Sequence, residues 1–361
     1  MNKIIKNILN KIESKGYQAF LVGGYVRDML MGINSYDIDI CSDATPRELM
    51  KIFPNAGTNI GGINFKIKEY NVEVMTYREE IKYKDRKPLV FNYVDSLRVD
   101  LKRRDFTVNA ICMNLQGELI DELNGLNDIK NQKIRIIGDA DTKIKEDPLR
   151  ILRAIRFATI LNFNIDSFLY KNMKKNYKLV LELSGMRIKE ELDKILLSSN
   201  VKRGLKLMDE VGISKILNIK YEDFVVVSNI DMMYAQISIG YDLPFTKASK
   251  DNIKSLKEIV NKGEINFDIL YNYGLYLSTI AGEVLGISSV EINKMYKNMP
   301  IKDKKDINIR SKDIINILEI KPSPVIGKVL VKLESLILKG IIKNKRSELI
   351  KYVKVNKERW Q

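Results

Sequence analysis

The chain has no histidine among its 361 residues. That absence excludes Ser-His-Asp and Cys-His catalysis, histidine-ligated zinc and any histidine-based metallohydrolase module. Cysteine is nearly as scarce. Cys41 and Cys112 are the two present, too few for a disulfide framework and in keeping with a reducing cytoplasm. Long apolar runs are missing as well. No stretch of about 18 apolar residues occurs, which argues against a transmembrane helix and a membrane partner. The amphipathic segment "NKIIKNILNKIESKG" near the start lacks the apolar centre and small-residue cleavage site of a signal peptide. An enzyme built from this chain works with carboxylates, Lys and Arg, backbone groups and a hard metal ion.

What is abundant is positive charge. Lys and Arg number 61 against 46 Asp and Glu, a net charge of +15. Such a chain attracts polyanions, nucleic acid first, although a Lys-rich composition also reflects an AT-rich genome. Hydrophobic residues make up 45% and charged residues 30%, enough apolar material for a sizeable core. The length suggests two or three domains at about 150 residues each.

The fold class expected is α+β: an N-terminal α/β head with a mixed sheet, then an all-helical remainder. Strand signals are "AFLVG" (19–23), "YDIDIC" (36–41), "NFKIKEY" (64–70), "VEVMTYR" (72–78), "NAICMNL" (109–115) and "QKIRIIG" (132–138). The pair 64–70 and 72–78 reads as a hairpin joined through Asn71. In "TPRELMKIF" (45–53) Thr45 caps a helix, Pro46 fits its first turn and Glu48 completes a capping box. From about 141 the apolar spacing becomes helical: Leu149, Leu152, Ile155 and Ala158 in "DTKIKEDPLRILRAIRFATIL", then 186–198 and 201–213. Breaks are expected at Gly240, Pro244, Pro300, Pro322 and Pro324, and the end "IIKNKRSELIKYVKVNKERW" reads as a basic helix.

Three clusters carry chemistry. In "FLVGGYVRDMLMGINSYDIDIC", Gly23 and Gly24 stand between a strand and a helix, where backbone N–H groups approach a phosphate. Arg27 lies one turn in, placed to pair with that phosphate. By itself this reads more readily as an ordinary strand-to-helix turn. Asp37 and Asp39 then share one face of a strand. Two carboxylates so placed suit Mg²⁺ ligation, or else a solvated edge strand. Glu73, on another strand, is a candidate third carboxylate. Together the three would equip in-line nucleotidyl transfer.

The second cluster is "DLKRRDFTVNAI" (100–111). Arg104 is placed to reach a triphosphate, and Asp105 and Asn109 to fix a ribose hydroxyl or order the loop; a plain salt-bridged loop is the alternative. The third is "EDPLRILRAIRF" (146–157), where Asp147, Arg150, Arg153 and Arg156 recur every third residue along a helical stripe. Asp147 with Arg150 offers an acceptor beside a forked donor. Such a pair accepts cytosine or adenine, which present an exocyclic amine, and repels uracil or guanine. An internal ion pair on a basic helix is the plain alternative.

In this order, "GGYVRDMLMG…YDIDIC", "RRDFTVNAI", "DELNGLNDI" (121–129), "EDPLRILRAIRF" and "MRIKEEL" resemble the class II tRNA nucleotidyltransferases, the CCA-adding enzymes of bacteria and eukaryotes. The resemblance covers roughly the first 200 residues. It implies that Asp37 and Asp39 hold catalytic Mg²⁺; Glu73 as a third catalytic carboxylate rests on its expected place on a neighbouring strand. Gly23, Gly24, Arg27, Arg104, Arg153 and Arg156 would bind the triphosphate. Asp147 and Arg150 would select C and then A without a nucleic-acid template. It implies a head over 1–140, a helical neck with base recognition over 141–213, and a body and tail binding tRNA over 214–361. Asp121, Gly125 and Asp128 would mark a hinge between head and neck. "EEIKYKDRKP" (79–88) would be the flexible loop that CC-adding relatives lack. The implied substrates are tRNA, CTP and ATP, with no DNA. A-adding, CC-adding and poly(A)-adding relatives stand as alternatives, as does a non-catalytic RNA-binding protein. Poly(A) polymerases carry a basic, histidine-containing signature where this chain has "NAGTNIGGINFKI".

Overall fold

A computed structural model describes residues 2–84 and 87–360, without the side chains of 81–90. The chain forms two compact units, one of Met1–Asn218 with Tyr241–Pro244, the other of Ile219–Gly240 with Phe245–Gln361.

The first unit opens with α1 (Lys3–Glu13), β1 (Ala19–Val22), α2 (Gly24–Leu30), β2 (Asp37–Ser42), α3 (Pro46–Ile52), β3 (Gly57–Asn59), β4 (Gly62–Ile67) and β5 (Tyr70–Thr76). The hairpin strands β6 (Arg78–Lys84) and β7 (Lys87–Tyr93), α4 (Leu97–Lys102), β8 (Cys112–Met113) and β9 (Leu119–Ile120) follow. A seven-stranded mixed sheet runs β3-β4-β5-β2-β1-β8-β9, with β2 and β5 parallel and the neighbouring pairs antiparallel. Strand alternation gives the sheet two different faces. Leu21, Ile38, Ile40, Ile63, Val72 and Val74 pack under α1 and α3. Val22, Cys41 and Cys112 lie on the other face with Tyr77 and Leu101, alongside Asp37 and Asp39. The box at α3 forms as expected: Thr45 accepts from the Glu48 backbone and Glu48 accepts from that of Thr45.

Four details differ from the sequence reading. The hairpin of β4 and β5 turns at Lys68–Glu69, with Lys68 at φ +51, so that Asn71 lies inside β5. Strand 109–115 shrinks to Cys112–Met113, because Thr107–Asn109 winds into a 3₁₀ turn. Strand 132–138 shrinks to β10 (Lys133–Ile134), which pairs outside the main sheet with β11 (Asn164–Ile165). The extended residues after it bond instead to the 105–107 loop, through Thr107 N–H to Arg135 O and Ile137 N–H to Asp105 O. Finally, Pro148 divides the helix expected from 141. α5 (Gly125–Lys130) precedes β10, and α6 (Ala140–Glu146) and α7 (Leu149–Ile160) run between β10 and β11. Asp147 between the last two is extended at φ −147, ψ 99, the backbone that a following proline favours. The stripe of three arginines lies on α7, and Asp147 stands outside it.

The first unit closes with α8 (Ser167–Asn176), α9 (Gly185–Leu196), α10 (Val201–Val211) and α11 (Ile213–Leu217). The second unit is helical apart from the paired dipeptides β12 (Ile219–Lys220) and β13 (Ser238–Ile239). Its helices are α12 (Ile230–Gln236), α13 (Lys247–Lys262), α14 (Phe267–Leu285), α15 (Ser289–Lys297), α16 (Ser311–Leu318), α17 (Pro324–Leu338) and α18 (Arg346–Val355). Thr246, Asn266 and Ser288 cap α13, α14 and α15. The break expected at Pro322 and Pro324 falls between α16 and α17, with Pro324 in the first turn of α17. The basic terminal helix is confined to α18. Among the described residues no helix is long and apolar enough to cross a membrane.

The implied flexible loop at 79–88 spans the facing strands β6 and β7, and its tip, Asp85 and Arg86, lies outside the described residues. The implied hinge segment is closely tied within the first unit. Asp121 accepts from the N–H groups of Gly125 and Leu126, and buried Asp128 binds the Thr107 hydroxyl and Arg135. A Cβ on Gly125 would stand 2.3 Å from the Thr107 carbonyl, so only glycine fits there.

Candidate active site

The floor of the site is set by strand register. Parallel pairing of β2 with β5 puts Asp37 beside Asn71 and Asp39 beside Glu73, all on one face. Antiparallel pairing of β5 with β4 continues the rows to Lys66 and Asn64. Asn71 donates to Asp37 at 2.9 Å, and Asn59 donates to Glu73. Asp39 accepts no hydrogen bond among the described residues. Burial pushes its carboxyl up to about 6; Glu73 and Asp37 add to that rise, and Arg104 and Arg27 oppose it.

The turn after β1 closes over this carboxylate. Gly23 has φ +79 and ψ −145, a region open in practice only to glycine. A Cβ there would meet Asp39 Oδ2 at 2.9 Å. Arg27 of α2 is buried, paired to Asp28 at 2.6 Å and donating to the Asn109 side chain. Asp100, wholly inaccessible, gathers Arg103 at 2.8 Å, Arg104 at 3.3 Å and the Arg78 N–H at 3.2 Å. Arg104 is held firmly protonated: burial opposes its charge, but Asp100 and Asp39 more than compensate.

The facing wall comes from α7 and α9. Arg153 binds Asp105, tying the helix to the loop before β8. Burial raises the Asp105 carboxyl, yet Arg153 and the Phe106 and Asn109 N–H donors hold it below the usual range. Arg156 pairs with buried Glu191 of α9 at 3.2 Å. Burial lowers its affinity for the proton more than Glu191 restores it. Phe157 packs edge-on against Phe106, and the guanidinium carbons of Arg156, Arg27 and Arg153 lie 4.2, 5.3 and 5.4 Å from its ring centre. Such contacts favour cations over an aromatic face. Asp147 pairs with Arg187 at 2.7 Å, and Arg150 with Glu146 at 3.2 Å. Among the described residues no side-chain bond joins Asp147 to Arg150; the Arg150 backbone N–H donates to the Asp147 carbonyl, the ion pair within the motif is Arg150–Glu146, and both Asp147 and Arg150 line the cleft.

All these side chains meet at one cleft of about 1170 Å³ in the first unit, lined by Gly23, Gly24, Arg27, Asp37, Asp39, Glu73, Arg104, Asp147, Arg150, Arg153 and Arg156. Every site residue expected from sequence lines it. Sequence reasoning gave no role to Asp100, Phe157, Arg187 or Glu191, although each falls inside a quoted motif. An acidic residue three or four places before a double arginine, and an aromatic residue within an arginine stripe, were the available signals.

Among the described residues no group of three or more His, Cys, Asp or Glu side chains is close enough to hold a metal ion alone. The aspartate pair nevertheless suits a hard cation. Asp39 is unbonded, destabilised as an anion and faced by a glycine that leaves room at its oxygen. Mg²⁺ commonly takes one or two carboxylates and completes its shell with phosphate oxygens and water.

Residues 19–135 match the family described as the poly A polymerase head domain. Residues 162–220 match the RNA and SrmB-binding site of polymerase A, and 241–353 match tRNA nucleotidyltransferase domain 2. The chain is 33% identical to the CCA-adding enzyme of Lactococcus lactis subsp. cremoris, covering 96% of this chain and 94% of that protein. The chain belongs to the CCA-adding enzymes. The CCA-adding enzyme of Ligilactobacillus salivarius is 31% identical over 96% of this chain and 95% of its own length. The Bacillus stearothermophilus CCA-adding enzyme, solved in complex with CTP, shares the fold with a TM-score of 0.80 at 24% identity, over 99% of each chain. The Thermotoga maritima CCA-adding enzyme, solved with tRNA, matches at TM-score 0.66 and 21% identity over 99% of this chain and 96% of that one. Membership makes the chain a nucleotidyltransferase, and the mixed-sheet head followed by helices is the CCA-adding enzyme fold.

Proposed function

We propose that this chain builds the CCA end of tRNA, adding C, C and A from CTP and ATP without a nucleic-acid template. One observation carries the reading: the register that sets Asp37, Asp39 and Glu73 side by side beneath a wall of arginines. Near-full-length identity to named CCA-adding enzymes, and structures of relatives with CTP or tRNA, support the choice of substrates. Residues 1–140 are the catalytic head, 141–213 the neck, and 214–361 the tRNA-binding body and tail. Two fully buried free cysteines suit a cytoplasmic location.

In this reading Gly23, Gly24, Arg27 and Arg104 receive the triphosphate, with Arg153 and Arg156 adding charge from the neck. Asp37 and Asp39 hold Mg²⁺. Two bound ions would lower the pKa of the 3′-hydroxyl and neutralise the triphosphate and departing pyrophosphate. Glu73 fixes the anionic floor through its bond from Asn59. Asp147, held by Arg187, accepts the exocyclic amine of C or A, and Arg150 donates to ring acceptors. Uracil and guanine set a carbonyl against Asp147, and two acceptors facing each other leave a buried group unpaired.

The test supplies CTP and ATP separately to tRNAs ending before C, after C and after CC, with Mg²⁺. C addition to the first two and a single A on the third are expected. A long A tail would indicate polyadenylation, and addition at one stage alone would indicate an A-adding or CC-adding enzyme. No incorporation would leave an RNA-binding protein.

A further inference from the structure

Each arginine lining the cleft already faces a carboxylate, from Asp28, Glu80, Asp100, Glu146, Asp105 or Glu191. Two cations of the cleft, Lys66 and Lys194, have no carboxylate partner among the described residues. Lys194 is on α9, part of the base-reading wall. Lys66 is on the sheet, exposed, in the row Asp37–Asn71–Lys66 across β2, β5 and β4. Two strand spacings put its backbone ~10 Å from that of Asp37.

The direction of that row matters. Gly23, Arg27 and Arg104 lie toward β1 and β8, on one side of β2; Glu73, Asn64 and Lys66 lie on the other. In-line transfer places the attacking oxygen and the leaving pyrophosphate on opposite sides of phosphorus. With the pyrophosphate on the β1 side, the attacking strand enters over β5 and β4. We propose that Lys66 binds the incoming RNA strand, pairing with a backbone phosphate next to its 3′-terminal nucleotide. This rests on the triphosphate side assigned under the proposed function. It separates an RNA-strand subsite on β4 from the nucleotide subsite on β1, α2 and α7.

An ordinary role competes. β3 covers β4 only as far as Asn64, leaving Lys66 on an open edge, where a lysine discourages strand pairing. A guard of that kind does not touch substrate.

The experiment compares wild type, Lys66→Ala and Lys66→Arg, measuring KM for tRNA and for CTP separately across a salt series. Direct tRNA binding is measured in parallel. For Lys66→Ala, KM and Kd for tRNA should rise about fivefold to tenfold, and the salt slope should become shallower by about one charge. KM for CTP should stay within about twofold of wild type, and Lys66→Arg should restore tRNA affinity. Unchanged tRNA affinity and slope would overturn the proposal in favour of the edge guard. A parallel rise in KM for CTP would overturn it in favour of the triphosphate side. Failure of wild type to incorporate nucleotide would sink the functional reading instead, and the binding measurements would still decide the role of Lys66.

Discussion

Asp39 and Glu73 stand opposite each other in register across the parallel strands β2 and β5, but among the described residues Glu73 accepts a hydrogen bond, from Asn59, and Asp39 accepts none. One carboxylate of the pair is steadied by an amide. The other is left for a cation, beneath Gly23 and within the field of Arg27 and Arg104.

Burial of the Asp39 carboxyl makes metal-free stability depend on pH. Asp39 titrates near 3.8 when unfolded and about 6 when folded. Below pH 3.8 it is protonated in both states and costs nothing. As pH rises toward 6 the unfolded chain has released the proton while the folded one holds it, so stability falls, by at most about 3 kcal/mol. Asp39→Asn should therefore be more stable than wild type by about 1–3 kcal/mol at pH 7.5 without metal. The advantage should shrink steeply toward pH 4, vanish well below pH 3.8, and shrink also when Mg²⁺ binds the wild type. Urea denaturation at the two pH values checks this, and a pH-independent difference would refute it.

Gly23→Ala tests the turn. The new Cβ occupies a glycine-only backbone region and presses on Asp39 Oδ2. The strain should cost about 1–3 kcal/mol, and displacement of the carboxylate should slow C addition about a hundredfold. Thermal melting and single-turnover kinetics give the two values; full activity would show that Asp39 is not positioned by this turn.

Asp147→Ala should relax base choice. Discrimination against UTP and GTP should fall by about 1–3 kcal/mol, roughly tenfold to hundredfold. Arg187→Leu, which frees Asp147 from its 2.7 Å partner, should do the same to a smaller degree. Competition between CTP and UTP for one tRNA end measures both. Unchanged selectivity would mean that the base edge is read elsewhere.

The legible parts of this molecule were those with local causes. Two-residue alternation put Asp37 and Asp39 on one face, and the capping box at Thr45 formed as its spacing requires. Pro148 was a local signal passed over when the three-residue spacing placed Asp147 on the helical stripe; the effect of a proline on the residue before it explains why Asp147 leaves the helix that carries Arg150, Arg153 and Arg156. What stayed hidden depended on distant partners. The alternating residues after Lys133 look like any strand, and only the 105–107 loop determines that they bond outside a ladder. Asp147 meets Arg187 across 40 positions and Asp105 meets Arg153 across 48. No spacing rule reaches that far, and Asp100 became a hub only once α4 folded beside β6.

The most direct test of the account is Asp39→Ala, assayed for CTP incorporation and, on the same preparation, for tRNA binding. Loss of incorporation by about a thousandfold or more, with tRNA affinity within about twofold of wild type, is the predicted result. Incorporation retained at near wild-type rate would contradict the assignment of the aspartate pair as the seat of nucleotidyl transfer.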